Sequence, residues 1–210
     1  MSHQSAPVAL LEKLSMDDVV QHSACGQLVD AESLTEAMII STCNRLEVYT
    51  VTNSFHTGVQ DVIRVLKDVS HVDEEELRNY LYVRYADAAA EHLMSVTSGL
   101  DSMVVGEQQI IGQIRTAYQS ASEIGAAGTT LHRLAQQALH VGKRVHTDTG
   151  IDKAGASVVS VALDRHERAV GGTPDRVFAG QCAAAVAVGH DAVGDSATCL
   201  DDGHREEIAG

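Results

Sequence analysis

Two hydrophobic periods run along this chain, and the change from one to the other divides it. Ala37-Met38-Ile39-Ile40 is a short apolar run. Beyond a polar turn, Leu46, Val48 and Thr50 alternate with Glu47, Tyr49 and Val51, the period of a half-buried strand. The period then lengthens. Phe55, Val59, Val62, Ile63, Leu66 and Val69 recur at helical spacing, so this segment predicts an amphipathic helix. Asp73-Glu74-Glu75-Glu76 reads as a helix start, where the dipole favours acids. Leu81-Tyr82-Val83-Arg84-Tyr85 reads as another strand. Upstream, Ser2 to Pro7 is a loop and Val8 to Leu14 one short apolar helical segment. Ser15 with Asp18 three residues on resembles a capping box for a helix running to about Val29. The order α-β-β-α-β predicts an α+β fold, a small antiparallel sheet with helices on one face.

From Asp87 the pattern is helical throughout. Leu93, Val96 and Leu100 form one stripe, and the polar loop from Gly99 to Gly106 breaks it. A new helix starts near Glu107, with Ile110, Ile114, Tyr118 and Ala121 as its buried face. Gln109 and Gln113, four apart, share a different face. Thr130 to Asp148 is a further helix, with Leu131, Leu134, Ala138 and Val145 inside, and Ala154 to about Ala169 begins another. Beyond about Leu163 the periodicity fades. Val177 to Val188 holds an Ala/Val run that fits strand or helix. Residues 164–210 carry nine acids and four Lys/Arg and read as a weakly ordered tail rather than a basic arm.

Composition narrows the function classes. The net charge of −14 argues against broad nucleic-acid binding, since neutralising phosphates takes Lys and Arg. A local basic strip is still open: Arg133, Lys143 and Arg144 fall in one helical region, where a solvated helix face is the blander account. No apolar run is long enough to cross a membrane, and no signal peptide is recognisable. Cys25, Cys43, Cys182 and Cys199 are too widely spaced for a disulfide or metal framework and suit a reducing cytosol. His3, His22, His132, His140 and His146 lack ligand-like companions, so no metal site is expected.

The candidate chemistry centres on Cys43, in the turn between the two strand-like runs. Arg45 is two residues away, and a positive charge favours a thiolate. Thr42, Asn44 and nearby backbone N–H groups could bind an oxyanion. A buried, inert cysteine fits the local sequence equally well. Gln109 and Gln113 on one helix face could grip a polar ligand or simply be solvated.

Several stretches together resemble the glutamyl-tRNA reductase family. They are Ser2-His3-Gln4-Ser5-Ala6-Pro7-Val8, Ser41-Thr42-Cys43-Asn44-Arg45-Leu46-Glu47-Val48-Tyr49, Glu91-His92-Leu93, Gly99 to Ile110, Gly112-Gln113-Ile114-Arg115 and Gly142-Lys143-Arg144-Val145-His146. The resemblance covers roughly residues 1–163. It implies a ferredoxin-like βαββαβ antiparallel sheet joined to a helical subdomain and the start of a long spinal helix. The sheet's first strand is not recognisable here, which would expose a pairing edge. It further implies a catalytic domain over residues 1–150, spinal helix over 151–170 and an atypical tail over 171–210. The family's later NADPH and dimerisation domains are not recognisable in this sequence. Gly189 to Gly194 lacks the close glycine pair of a dinucleotide fingerprint, so no cofactor-binding residue is identifiable.

By that resemblance, Cys43 attacks glutamyl-tRNA(Glu), and hydride from NADPH reduces the resulting thioester to glutamate-1-semialdehyde for tetrapyrrole synthesis. Thr42, Asn44, Arg45, Ser102, Glu107, Gln108, Gln109 and Gln113 would hold the glutamyl group, with Arg45 on its side-chain carboxylate and Glu107 on its α-ammonium. His92 would act as acid–base or shape the pocket; a satisfied helix histidine is the alternative. A cytoplasmic location, a homodimer and contact with the downstream semialdehyde aminomutase follow from the same likeness. Other readings stay open: a truncated form limited to forming and hydrolysing the thioester, a thiol hydrolase for another ester, or a non-catalytic module that binds tRNA or a protein.

Overall fold

The computed structural model describes residues 1–151 and the strand 185–189. Its elements run α1 (Val8–Leu14), α2 (Asp18–Val29), β1 (Leu34–Thr42), β2 (Arg45–Thr52), α3 (Phe55–Ser70), α4 (Glu74–Tyr80), β3 (Val83–Tyr85), α5 (Asp87–Thr97), α6 (Gln109–Glu123), α7 (Thr129–Thr149) and β4 (Ala185–Gly189). This is the expected α+β architecture. One hydrophobic cluster joins the sheet to the helices, running from Leu10 on α1 to Leu139 on α7.

β1 and β2 form an antiparallel hairpin, with Thr42 opposite Arg45 across the turn and Ile39 opposite Val48. The sheet order is β1-β2-β4-β3, and both ladders to β4 are parallel. The Ala/Val run of the tail is therefore a strand over 185–189. It pairs Tyr49–Thr52 on one side and Val83–Tyr85 on the other. This corrects the expectation of an exposed pairing edge: the slot between β2 and β3 has its ladder hydrogen bonds filled. The rest of the expected tail over 171–210, and the spinal helix over 151–170 beyond Ile151, lie outside the described residues.

The other sheet edge is covered. Gln21 Nε2 donates to the Ile39 carbonyl at 3.0 Å, and the Ala37 N–H donates to Ala126 O at 2.9 Å. Backbone groups that would template another strand are thus satisfied by α2 and by the α6–α7 connection.

Some predicted details shift. The cap of α2 is Asp17, whose carboxylate accepts from Val20 N–H at 2.8 Å, while Ser15 ends α1. An N-cap needs an acceptor one position before the first helical residue, and Asp17 stands there. Leu100 falls beyond the end of α5 and is 52% exposed; the inner face of α5 is Ala89, His92, Leu93 and Val96. On α6, Ala117 is buried where Tyr118 was expected, and Tyr118 packs only partly against the core.

β2 departs furthest from its pattern. All eight of its residues are buried, polar ones included. Alternation implied one wet face, yet Arg45, Glu47 and Tyr49 lie inside. Buried polar groups are as a rule hydrogen-bonded, and these three bond one another and residues brought in from elsewhere in the chain.

Candidate active site

Cys43 and Asn44 form the two-residue turn between β1 and β2, and Cys43 is exposed. The Thr42 hydroxyl oxygen accepts from the N–H groups of Asn44 and Arg45, both at 3.2 Å, which fixes the turn and leaves the hydroxyl proton free to donate. The N-terminal loop lies on the same turn: His3 N–H donates to Asn44 O at 2.7 Å, and Ser2 bridges Arg45. Burial, followed by the Arg45 charge, lowers the His3 pKa.

Opposite the turn is the loop 99–107. Gly99 and Gly106 both have positive φ, and Gly106 N–H donates to Gly99 O at 3.0 Å, closing the loop at its neck. Turn, loop and α6 enclose a small cavity of about 40 Å³ lined by Thr42, Cys43, Asn44, Arg45, Ser102, Glu107, Gln109 and Gln113, with Met103 and Ile110. Eight of the ten residues singled out from the sequence therefore meet around one space. Gln108 precedes α6 outside that lining, and His92 lies behind it.

Behind the turn, β2 carries a buried charge cluster. Arg45 Nη1 donates to Glu47 Oε1 at 2.6 Å and to Asp101 Oδ2 at 3.2 Å, and Nη2 donates to the Asp101 carbonyl. Tyr49 O–H donates to Glu47 Oε2 at 2.6 Å. His92 Nε2 is 3.0 Å from Glu47 Oε1, and Tyr82 O–H is 3.4 Å from the same nitrogen. An ionised carboxylate only accepts, so Nε2 carries the hydrogen.

Burial pushes the Glu47 pKa up. The hydrogen bond from His92 and the Arg45 charge outweigh it and bring it down to about 2. Burial likewise opposes the Arg45 charge, but Glu47 and Asp101 overcome it and raise its pKa. Tyr49 is held well above the ordinary phenol value by burial and the Glu47 charge.

The sequence placed the Arg45 charge at the Cys43 thiol. The structure gives the guanidinium's hydrogen bonds to two carboxylates instead. Glu47, His92 and Asp101 also bring donor atoms within 4.8 Å of one another, close enough for a metal set. Arg45 supplies the positive charge there, lying 2.6 and 3.2 Å from the two carboxylates.

Glu47, Tyr49, Tyr82 and Asp101 were missed from sequence. A signal existed for two of them: Arg45, Glu47 and Tyr49 repeat at period two and must share one strand face. Asp101 and Tyr82 come from distant loops and carry no such mark. The second described cysteine, Cys25, is buried, and burial raises its thiol to about 11.

Comparison with known proteins gives one consistent answer. The family model for the glutamyl-tRNAGlu reductase N-terminal domain matches residues 1–149. A glutamyl-tRNA reductase of Corynebacterium aurimucosum is 74% identical over 165 residues, covering 79% of this chain and 36% of the relative. One from Corynebacterium efficiens is 65% identical over 191 residues, covering 90% and 41%. The chain thus spans about two fifths of the length of these relatives. Among solved structures, glutamyl-tRNA reductase from Methanopyrus kandleri aligns with a TM-score of 0.58 at 28% identity, covering 90% of this chain and 48% of that one.

Proposed function

Because this chain belongs to the family of the glutamyl-tRNAGlu reductase N-terminal domain, we propose that it performs the acyl-transfer half of that reaction: Cys43 takes the glutamyl group from glutamyl-tRNA. The observation that carries this reading is the exposed thiol on a rigid turn, opening onto a cavity ringed by hydroxyl, amide and carboxylate groups.

The Cys43 thiolate attacks the ester carbonyl. A carbon–sulfur bond forms, the bond to the terminal ribose oxygen breaks, and that oxygen leaves with a proton from solvent. The Thr42 hydroxyl proton stabilises the oxyanion as it develops. Ser102, Asn44, Gln109 and Gln113 hydrogen-bond the glutamyl group, and Glu107 accepts its α-ammonium. Arg45 binds the side-chain carboxylate by exchanging Asp101 for it, since Asp101 is the more exposed of its two carboxylate partners. His92 reaches Arg45 only through Glu47 and is a positioning residue. The cavity has room for a few waters, so loop 99–107 moves aside to admit substrate.

NADPH supplies hydride in the whole reaction, and a thioester is a better hydride acceptor than a carboxylate. The described residues do not fit that cofactor: they hold no glycine-rich phosphate cradle, and the N-terminus of α7 is already filled by the Glu36 carboxylate. The cytoplasmic location, the aminomutase contact and the homodimer belong to the same proposal and rest on family membership.

The test is single-turnover reaction with glutamyl-tRNA, with and without NADPH, trapping acyl-enzyme on Cys43. A Cys43 thioester formed at the same rate in both supports the proposal. Absence of any acyl-enzyme in a folded sample defeats it and leaves the binding module.

A further inference from the structure

A second concavity lies on the far side of α6, between α6 and α7. It measures about 310 Å³ and is lined by Arg115, Tyr118 and Gln119 from one helix and Gln136, His140 and Lys143 from the other. The spacing on each helix explains the alignment. Arg115 and Gln119 stand four apart, and Gln136, His140 and Lys143 follow at four and three, so each set shares one face. Among the described residues, no carboxylate lines this groove.

That composition runs against the rest of the molecule. The chain has 15 Lys/Arg and 29 Asp/Glu, whereas residues 109–150 hold four Lys/Arg and only two Asp/Glu. Several cations elsewhere are paired: Arg45 with Glu47 and Asp101, Arg64 with Asp61, Arg78 with Glu74, and Arg144 with Asp148. Among the described residues, neither Arg115 nor Lys143 has an ion pair. Leaving two unpaired cations facing each other across a groove costs repulsion that an anionic ligand removes. The neighbouring glutamines donate and accept, as ribose hydroxyls and phosphate oxygens require.

We propose that the α6–α7 groove is the seat of an RNA phosphate backbone, that of the tRNA whose acyl end is at Cys43. The inference rests on the acyl-transfer reading above and extends it to where an acidic protein holds its polyanionic substrate. α6 joins the two sites. Gln109 and Gln113 face the thiol cavity and Arg115 begins the groove, so about 9 Å of helix axis separates the first residue of each. Of the basic strip expected at Arg133, Lys143 and Arg144, Lys143 alone lines the groove, and its partner there is Arg115.

Filter binding of uncharged tRNA(Glu) across a KCl series tests this without requiring chemistry at Cys43. Replacing both cations (Arg115→Gln with Lys143→Gln) removes about two phosphate contacts. The slope of log K against log salt then falls by about 2, and affinity drops roughly tenfold or more. The charge-preserving pair (Arg115→Lys with Lys143→Arg) keeps the slope. Lys67→Gln on α3 controls for net charge and binds as the parent does. Circular dichroism and protection of the buried Cys25 thiol verify that each variant is folded. An unchanged slope in the double Gln variant, an equal loss in Lys67→Gln, or no tRNA binding by the parent overturns the proposal. Binding that survives while no acyl-enzyme forms overturns only the acyl-transfer reading.

Discussion

His92 Nε2 lies 3.0 Å from Oε1 of Glu47, joining α5 to β2 across 45 residues of sequence. The same oxygen takes Arg45 Nη1, so one carboxylate oxygen of Glu47 holds two donors from different elements. Glu47→Gln keeps the shape and removes the charge. Arg45 then retains only the partly exposed Asp101, and the expected loss is about 3 kcal/mol or more. Urea unfolding monitored by circular dichroism gives this value; a loss under about 1 kcal/mol refutes the central role.

The same residue sets an acid limit. Glu47 is ionised in the fold down to about pH 2, against 4.5 for an ordinary glutamate. A depressed carboxylate contributes stability that is present above its unfolded value and lost as pH falls towards its folded one. The Glu47 contribution, on the order of 3 kcal/mol, therefore fades between pH 4.5 and about 2. Unfolding free energies over that window should fall steeply in the parent and much less in Glu47→Gln. Parallel curves for the two proteins would rule the assignment out.

Thiol chemistry separates the two described cysteines. Cys43 is exposed, whereas Cys25 is buried with its thiol pushed up to about 11. A disulfide reagent at neutral pH should modify Cys43 at once and Cys25 only at the rate of unfolding. Cys43→Ser, at an exposed turn, should change stability by no more than about 0.5 kcal/mol while abolishing acyl-enzyme. Rapid labelling of native Cys25 would contradict the structure.

Two helical glycines should respond in opposite directions to alanine. A methyl at Gly142 would sit 2.7 Å from the Thr97 backbone oxygen, so α7 must back away from α5 at a cost of about 1–3 kcal/mol. Gly112 is exposed in α6 and meets nothing within 4 Å, so Gly112→Ala should gain up to about 1 kcal/mol from helix propensity. Thermal denaturation of the pair settles both signs.

Glu36 provides a cap from outside its helix. Its carboxylate accepts from the N–H groups of Thr130 and Leu131 at 3.1 and 2.7 Å, across 94 residues. Glu36→Gln weakens a charge-assisted cap by about 1 kcal/mol. Hydrogen exchange should quicken at the first turn of α7 and leave α3 unaffected. Equal exchange in both proteins would show that α7 needs no such cap.

How much of this was legible follows from the range of the forces. The turn, most of the helical stripes and the shared face of Gln109 and Gln113 came from local period and spacing; the stripes fail at Phe55, Leu100 and Tyr118, which stand at or beyond their edges. What failed beyond that was chiefly long-range. Alternation in β2 implied a wet face because no local pattern reveals that Asp101 and His92 arrive from elsewhere to satisfy Arg45 and Glu47. The pairing of 185–189 between β2 and β3 escaped notice for the same reason: an Ala/Val run names no partner. Asp17 displaced Ser15 as a cap by a shift of two positions, within the ordinary blur of helix ends.

One bulge carries a mechanical meaning. The register of β1 slips between Leu34 and Glu36, which turns the Glu36 carboxylate onto the first residues of α7. Six residues later the same strand ends at Thr42, beside the thiol. The first turn of α7 and the Cys43 turn are thus held at the two ends of a single stiff strut about 20 Å long. The spacing between the first turn of α7 and the Cys43 turn is therefore set by the paired length of β1.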